Sequence, residues 1–121
     1  MSKTADVIVI GAGVIGCGTA LELAKRGYKT LNVDKLSDAG AGSTSNSCAL
    51  IRFFYSTYDG VAMSYEGYHY WKNWEDYLGV ADERGLITYT QRGTIMLKTR
   101  GHDHENVLRL YDQVGVQYED W

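Results

Sequence analysis

Gly11, Gly13 and Gly16 stand at the spacing Gly-x-Gly-x-x-Gly, and Asp34 closes the next apolar run of the chain. Residues of these types at this spacing can hold a nucleotide by its pyrophosphate. Gly11 permits a tight turn, Gly13 lets the backbone approach a phosphate with no Cβ in the way, and Gly16 allows a following helix to lie close on a sheet. The N-terminus of that helix, with Val14 and Ile15 in its first turn, would turn free N–H groups and the positive end of its dipole toward the phosphates. Asp34 can accept hydrogen bonds from the two hydroxyls of an adenosine ribose.

These residues need particular elements to position them, and the flanking sequence supplies the pattern. Val7 to Ile10 is an apolar β-branched run that suits a strand buried on both faces. Ile15, Thr19 and Leu23, with Ala20 and Ala24 as small packing positions, follow a helical period that Gly27 ends. Thr30 to Val33 is a second strand. Glycine spacing alone is a weak signal; set between two apolar strands and closed by an acid, it marks a dinucleotide-binding βαβ unit.

Asp38-Ala-Gly-Ala-Gly-Ser-Thr-Ser-Asn-Ser47 is small, polar and glycine-rich. It reads as a structured binding loop rather than a linker, because the apolar run from Cys48 to Tyr55 follows without a polar break. Ser and Asn ahead of such a run signal a helix N-cap. A helix starting there would offer a second set of backbone donors to a phosphate or a flavin ring.

From Tyr58 to Leu78 the period is helical, with Val61, Tyr65, Tyr68, Trp71, Trp74 and Leu78 on one stripe and Lys72, Glu75 and Asp76 opposite. That aromatic stripe reads as core packing, and Gly79 ends the helix. Leu86–Thr90 and Thr94–Lys98 are β-rich runs flanking Gln91-Arg-Gly93, the pattern of an antiparallel hairpin. Residues 103–114 read as a short amphipathic helix. His102-Asp-His104-Glu105 at its entrance reads as solvated surface, and no metal site is expected. The fold class is therefore α/β, a Rossmann-like βαβ unit with the start of an antiparallel layer. Residues 1–57 carry the nucleotide unit and its loop, and 58–121 begin a substrate-side subdomain.

Composition narrows the function. The chain of 121 residues is 45% hydrophobic and 22% charged, with a net charge of −3. That mild acidity, without a Lys/Arg cluster, argues against nucleic acid as the main partner. No apolar run approaches the length of a membrane span, and the first strand leaves no room for a signal peptide. Cys17 and Cys48 fit no metal spacing and read as free thiols of a reducing, cytoplasmic compartment. Two parallel strands are fewer than such a sheet normally needs, so the sequence reads as an incomplete N-terminal part of a larger fold, inactive alone.

The stretch Gly42-Ser-Thr-Ser-Asn-Ser-Cys-Ala-Leu-Ile-Arg52-Phe-Phe-Tyr55, placed directly after the second strand, resembles the D-amino-acid-oxidase superfamily of flavoproteins. The nearest likeness is the branch of sarcosine oxidase, glycine oxidase and dimethylglycine dehydrogenase. The Tyr-x-x-Trp-x-x-Trp helix and the stretch from Gly85 to Leu97 are similar to that branch as well. The resemblance covers essentially all of the chain and matches the N-terminal portion of such an enzyme.

The resemblance implies FAD as cofactor, with Gly11, Gly13, Val14, Ile15 and Gly16 at its pyrophosphate, Asp34 at the ribose and Lys35 beside the adenine. Ser43, Thr44, Ser45 and Ser47 would meet the phosphate and ribityl part, and Cys48 and Ala49 would pass near the isoalloxazine. It implies Arg52 in the substrate cavity, pairing with a substrate carboxylate, a role that suits its planar fork. Tyr55 would add a neighbouring hydroxyl. Neither is a general base.

Departures from the family's pattern are specific. Sarcosine-oxidising members carry an additional basic residue where this chain has Ala49, and no histidine lies between residues 43 and 55 to attach flavin covalently. The implied chemistry is hydride transfer to flavin from the carbon bonded to an amine, the product being an imine. The partner is then a small amino-acid or amine substrate, with the remainder of the enzyme as a second chain if the gene is split. A rival is an NAD-dependent dehydrogenase domain, since Asp34 suits either cofactor. Another is a non-catalytic nucleotide-binding subunit of a split enzyme.

Overall fold

The computed structural model describes residues 4–81 and 83–121. The chain forms two compact units, Met1–Leu50 and Ile51–Trp121. Residues 51–57, grouped by sequence with the nucleotide unit, cluster with the second.

In the first unit, strand β1 (Val7–Ile10), helix α1 (Val14–Lys25) and strand β2 (Thr30–Val33) follow in order. The strands pair in parallel, with Val7 opposite Thr30 and Ile10 opposite Val33. Parallel strands need a long crossover, and α1 supplies it. The Gly11 N–H continues the ladder to the Val33 carbonyl at 2.7 Å. At the other end of the sheet, the Asp6 carboxylate accepts from the Lys29 N–H at 2.8 Å.

The expectation of strands buried on both faces is corrected here. Burial alternates along each strand: Val7 and Val9 are half-buried, while Ile8 and Ile10 are 62% and 90% exposed. Successive side chains point to opposite faces, and one helix can cover only one of them. Ala20 is the buried residue of α1, as its small size suggested, whereas Ala24 is exposed.

The second unit holds helices α2 (Tyr58–Lys72), α3 (Trp74–Leu78) and α4 (His104–Val114). The Thr57 hydroxyl caps α2 by accepting from the Gly60 N–H, and Asp103 caps α4 by accepting from the Asn106 N–H at 3.0 Å. α2 and α4 pack around Val61, Leu110 and Val116, with Phe53, Tyr65, Tyr111 and Val114 against them. Val61 is fully buried, which on transfer data stabilises by about 1.5–3 kcal/mol relative to exposure. Phe53 meets the edges of Tyr65 and Tyr68 at 5.3 and 5.4 Å. The first part of the stripe, Val61, Tyr65 and Tyr68, is thus packed as expected, while Trp71 and Trp74 stack on each other at 4.7 Å, outside that cluster.

Three local expectations are corrected. The continuous helix over residues 58–78 is broken at Asn73, whose side-chain amide donates to the His69 carbonyl at 2.9 Å and competes with the helical ladder. No helix starts after Ser47: residues 48–57 carry none. The Ser47 hydroxyl does accept from the Ala49 N–H as a cap would, but Ala49 turns to φ +51°, outside the right-handed helical region. The two β-rich runs around Gly93 form no hairpin either. Among the described residues, strand pairing is confined to β1 and β2. Gly93 does take the positive φ of a turn, at +78°, yet Ile95 and Leu97 are both 76% exposed. A two-stranded ribbon with no covered face is marginal by itself.

Candidate functional site

The turn from β1 into α1 is built from backbone and held by two side chains from later in the first unit. Gly11 sits at φ +110°, where a side chain would be strained. Gly16 is fixed by close approach, since a Cβ there would lie 2.0 Å from the Gly11 carbonyl oxygen. Gly13 caps α1 but has no side chain to do so. The Thr44 hydroxyl takes over that task, accepting from the Val14 N–H at 3.0 Å. It would be 3.1 Å from a Cβ on Gly13.

The first intrahelical bond runs from the Cys17 N–H to the Gly13 carbonyl at 2.9 Å. The Ile15 and Gly16 N–H groups precede it and have no acceptor within the helix. The turn therefore has the parts a pyrophosphate requires: a Cβ-free approach at Gly13 and a helix N-terminus with outward donors.

Asp34 has a second job that the motif did not reveal. One carboxylate oxygen accepts from the Ala12 N–H at 2.7 Å and the other from the Leu36 N–H at 2.9 Å. These bonds, Ala12's foremost, hold its carboxyl below the usual carboxylate range. Each oxygen keeps a further lone pair, so a ribose hydroxyl remains compatible with the staple. Lys35, exposed beside it, adds a weak attraction.

The glycine-rich stretch is ordered as a chain of turns. The Gly40 N–H donates to the Ala12 carbonyl at 2.7 Å, with Gly40 at φ +76°. The Ser45 N–H and hydroxyl both return to the Gly40 carbonyl. Ser43, Ser47 and Cys48 are exposed. Ala49 adopts φ +51°, rare for a residue with a Cβ. An alanine gives no sequence cue for that, whereas Gly40 could have been read from its glycine-rich setting.

Gly11, Gly13, Val14, Ile15, Gly16, Asp34 and Thr44 thus converge on one turn. Arg52 and Tyr55 belong to the second unit, where the Arg52 guanidinium lies over the Tyr55 ring at 5.7 Å, within cation–π range. Cys17 and Cys48 are free thiols. His104 Nε2 accepts from the Thr99 N–H at 3.0 Å. Among the described residues no group of three or more His, Cys, Asp or Glu side chains is placed to hold a metal ion. None of the helices is long and apolar enough to cross a membrane.

The parallel βαβ unit, its Cβ-free turn and the acid at the end of β2 have the form of a dinucleotide-binding unit. The FAD dependent oxidoreductase model matches residues 6–121, and the chain belongs to that family, whose cofactor is FAD. The chain is 43% identical over 49 residues to the aerobic glycerol-3-phosphate dehydrogenase of Bacillus subtilis, covering 40% of this chain and 9% of that protein. It is 46% identical over 46 residues to the mitochondrial glycerol-3-phosphate dehydrogenase of Rattus norvegicus, covering 38% and 6%. It is 35% identical over 51 residues to the tRNA 5-methylaminomethyl-2-thiouridine biosynthesis bifunctional protein MnmC of Campylobacter fetus, covering 42% and 8%. The matched stretches span less than a tenth of these relatives' own length. No solved structure matches. The family expectation holds for the chain, whereas these relatives are named as glycerol-3-phosphate dehydrogenases and MnmC and do not specifically support the sarcosine-oxidase branch.

Proposed function

We propose that this chain is part of an FAD-dependent oxidoreductase acting on the C–N bond of a small amino acid or N-methylated amino acid. The observation that carries the substrate class is the Arg52 guanidinium, exposed and within cation–π range of the Tyr55 ring. An exposed guanidinium can offer its planar fork to a carboxylate as a bidentate pair. Bound FAD supplies the hydride acceptor.

The chain's own residues bind and orient. Gly11, Gly13, Val14, Ile15 and Gly16 with Thr44 hold the pyrophosphate, Asp34 the ribose and Lys35 the adenine edge. Ser43, Ser45 and Ser47 serve the phosphate and ribityl part, and Cys48 and Ala49 border the ring system. Arg52 anchors the substrate carboxylate, and Tyr55 adds a hydroxyl. The imine left by hydride loss hydrolyses in water.

A second reading comes from the relatives named as glycerol-3-phosphate dehydrogenases: oxidation of a C–O bond in a phosphorylated polyol. A guanidinium fork suits a phosphate equally well. Anaerobic bleaching of the flavin by sarcosine, glycine or dimethylglycine, set against glycerol 3-phosphate, separates the two. In the amine reading, Arg52→Ala weakens substrate binding by about one to two orders of magnitude, since the charge-assisted pair is worth roughly 1.5–3 kcal/mol. It also erases the preference for a carboxylated amine over its decarboxylated analogue. Equal discrimination by wild type and variant removes Arg52 from the substrate site.

A further inference from the structure

Arg52 and Tyr55 lie on a segment, residues 48–57, that has neither helix nor strand, so something else must hold them within cation–π range. Two contacts do. The first is at Gly60, in the opening turn of α2. A Cβ built there would lie 3.0 Å from Tyr55 Cβ, 3.2 Å from Tyr55 Cγ and 3.0 Å from the Thr57 hydroxyl. Tyr55 is thus seated in the space that the missing side chain leaves. Glycine weakens the helix it occupies, and here its missing side chain leaves room both for Tyr55 and for the Thr57 cap.

The second contact is at Asn106, in the first turn of α4. Its amide donates to the Ser56 carbonyl at 3.2 Å, fifty positions away in sequence. Its amide oxygen accepts from Arg109 at 2.7 Å, which fixes the orientation of the amide. The chain immediately after Tyr55 is therefore tied to α4, while Tyr55 itself rests on α2.

We propose that Gly60 and Asn106 are positioning residues that hold the Arg52–Tyr55 cation–π pair in its anion-receiving form. The anion role rests on the function proposed above; the positioning does not. Neither residue meets substrate. They act through the ring of Tyr55 and the carbonyl of Ser56.

The test is NMR of the Arg52 Nε–H group in the full chain, followed during titration with acetate. In wild type the Tyr55 ring current shifts the Arg52 resonance relative to Tyr55→Leu. Gly60→Ala, which adds a better helix former, and Asn106→Leu should each move the resonance toward the Tyr55→Leu position. Asn106→Asp keeps an acceptor for Arg109 but removes the donor to Ser56, and should behave as Asn106→Leu. In all three, acetate affinity at Arg52 should fall about tenfold, which corresponds to loss of one well-oriented hydrogen bond to a charged group, while far-UV circular dichroism stays helical. A wild-type resonance position in Gly60→Ala and in both Asn106 variants overturns the positioning role. If the variants shift as expected but acetate leaves Arg52 of the wild type untouched, the positioning stands and the carboxylate reading of Arg52 falls.

Discussion

The two units of this chain hold themselves together by different means. In the first, Ala20 is the one buried hydrophobic residue among those described, and the β1–β2 pair leaves Ile8, Ile10, Leu31 and Val33 exposed. Its order comes from backbone: parallel ladder bonds, left-handed glycines and side-chain oxygens on main-chain N–H groups. In the second, Val61, Val107, Leu110 and Val116 are buried under a layer of aromatic rings. A site that must bring main chain against a phosphate has to be made of small residues and hydrogen bonds. A unit that presents side chains can afford an ordinary core.

The sharpest way to break this contrast is Gly16→Ala. A single methyl group would sit 2.0 Å from the Gly11 carbonyl, so the turn must open and FAD binding should be lost. Flavin content after dialysis measures it, and amide exchange in α2 and α4 should be unchanged. The converse test is Leu110→Ala, which removes a buried side chain from the second unit. Comparable core truncations cost about 2–5 kcal/mol. Denaturant unfolding followed by tryptophan fluorescence should register the loss, because Trp71 and Trp74 lie in that unit, stacked at 4.7 Å.

A smaller effect is expected at Thr44. Thr44→Val keeps the shape but removes the oxygen that caps Val14, and loss of a cap costs about 1 kcal/mol. Thr44→Ser should restore most of it. Thermal unfolding with protection of the α1 amides as the probe distinguishes the three proteins. A Thr44→Val chain as stable as wild type would mean the cap contributes nothing.

The smallest effect concerns Asp34. Its carboxyl is held below the ordinary range by the Ala12 and Leu36 N–H groups, so it favours the folded state above the unfolded-state value. As pH falls below that value, the unfolded chain takes up a proton that the folded chain refuses, and stability drops until the folded carboxyl titrates as well. Asp34→Asn should flatten this acid limb. A parallel loss in both proteins would assign the pH dependence to other carboxylates.

The contrast also explains what the sequence could and could not reveal. The βαβ unit was legible because Gly11 and Gly16 have steric reasons that survive translation into a motif, and α4 because Asp103 and Gly115 mark its ends. The backbone staple made by Asp34 was not legible, since nothing in the residue's identity separates a ribose partner from a bond to the main chain. Thr44 capping Val14 from thirty positions away leaves no periodic trace. The break at Asn73 hides inside an intact apolar stripe. The run from Leu86 to Leu97 has β-rich composition without β pairing, because propensity there expresses a fit to neighbours rather than a backbone preference. Gly60 was overlooked because a glycine early in a helix looks like a defect until Tyr55 is seen resting on it.

The parallel register of β1 and β2 has a kinetic consequence. Val7 cannot meet Thr30 until the whole crossover between them has been laid down, so this pairing closes a long loop before any ladder bond rewards it. Most bonds of the second unit span a single helical turn, and its helices can form on the timescale of local coil-to-helix relaxation. Packing those helices closes a longer loop still, since Asn106 and Ser56 lie fifty positions apart. As the chain leaves the ribosome, β1 and β2 are both present before α2 has been made, so the nucleotide turn can close first.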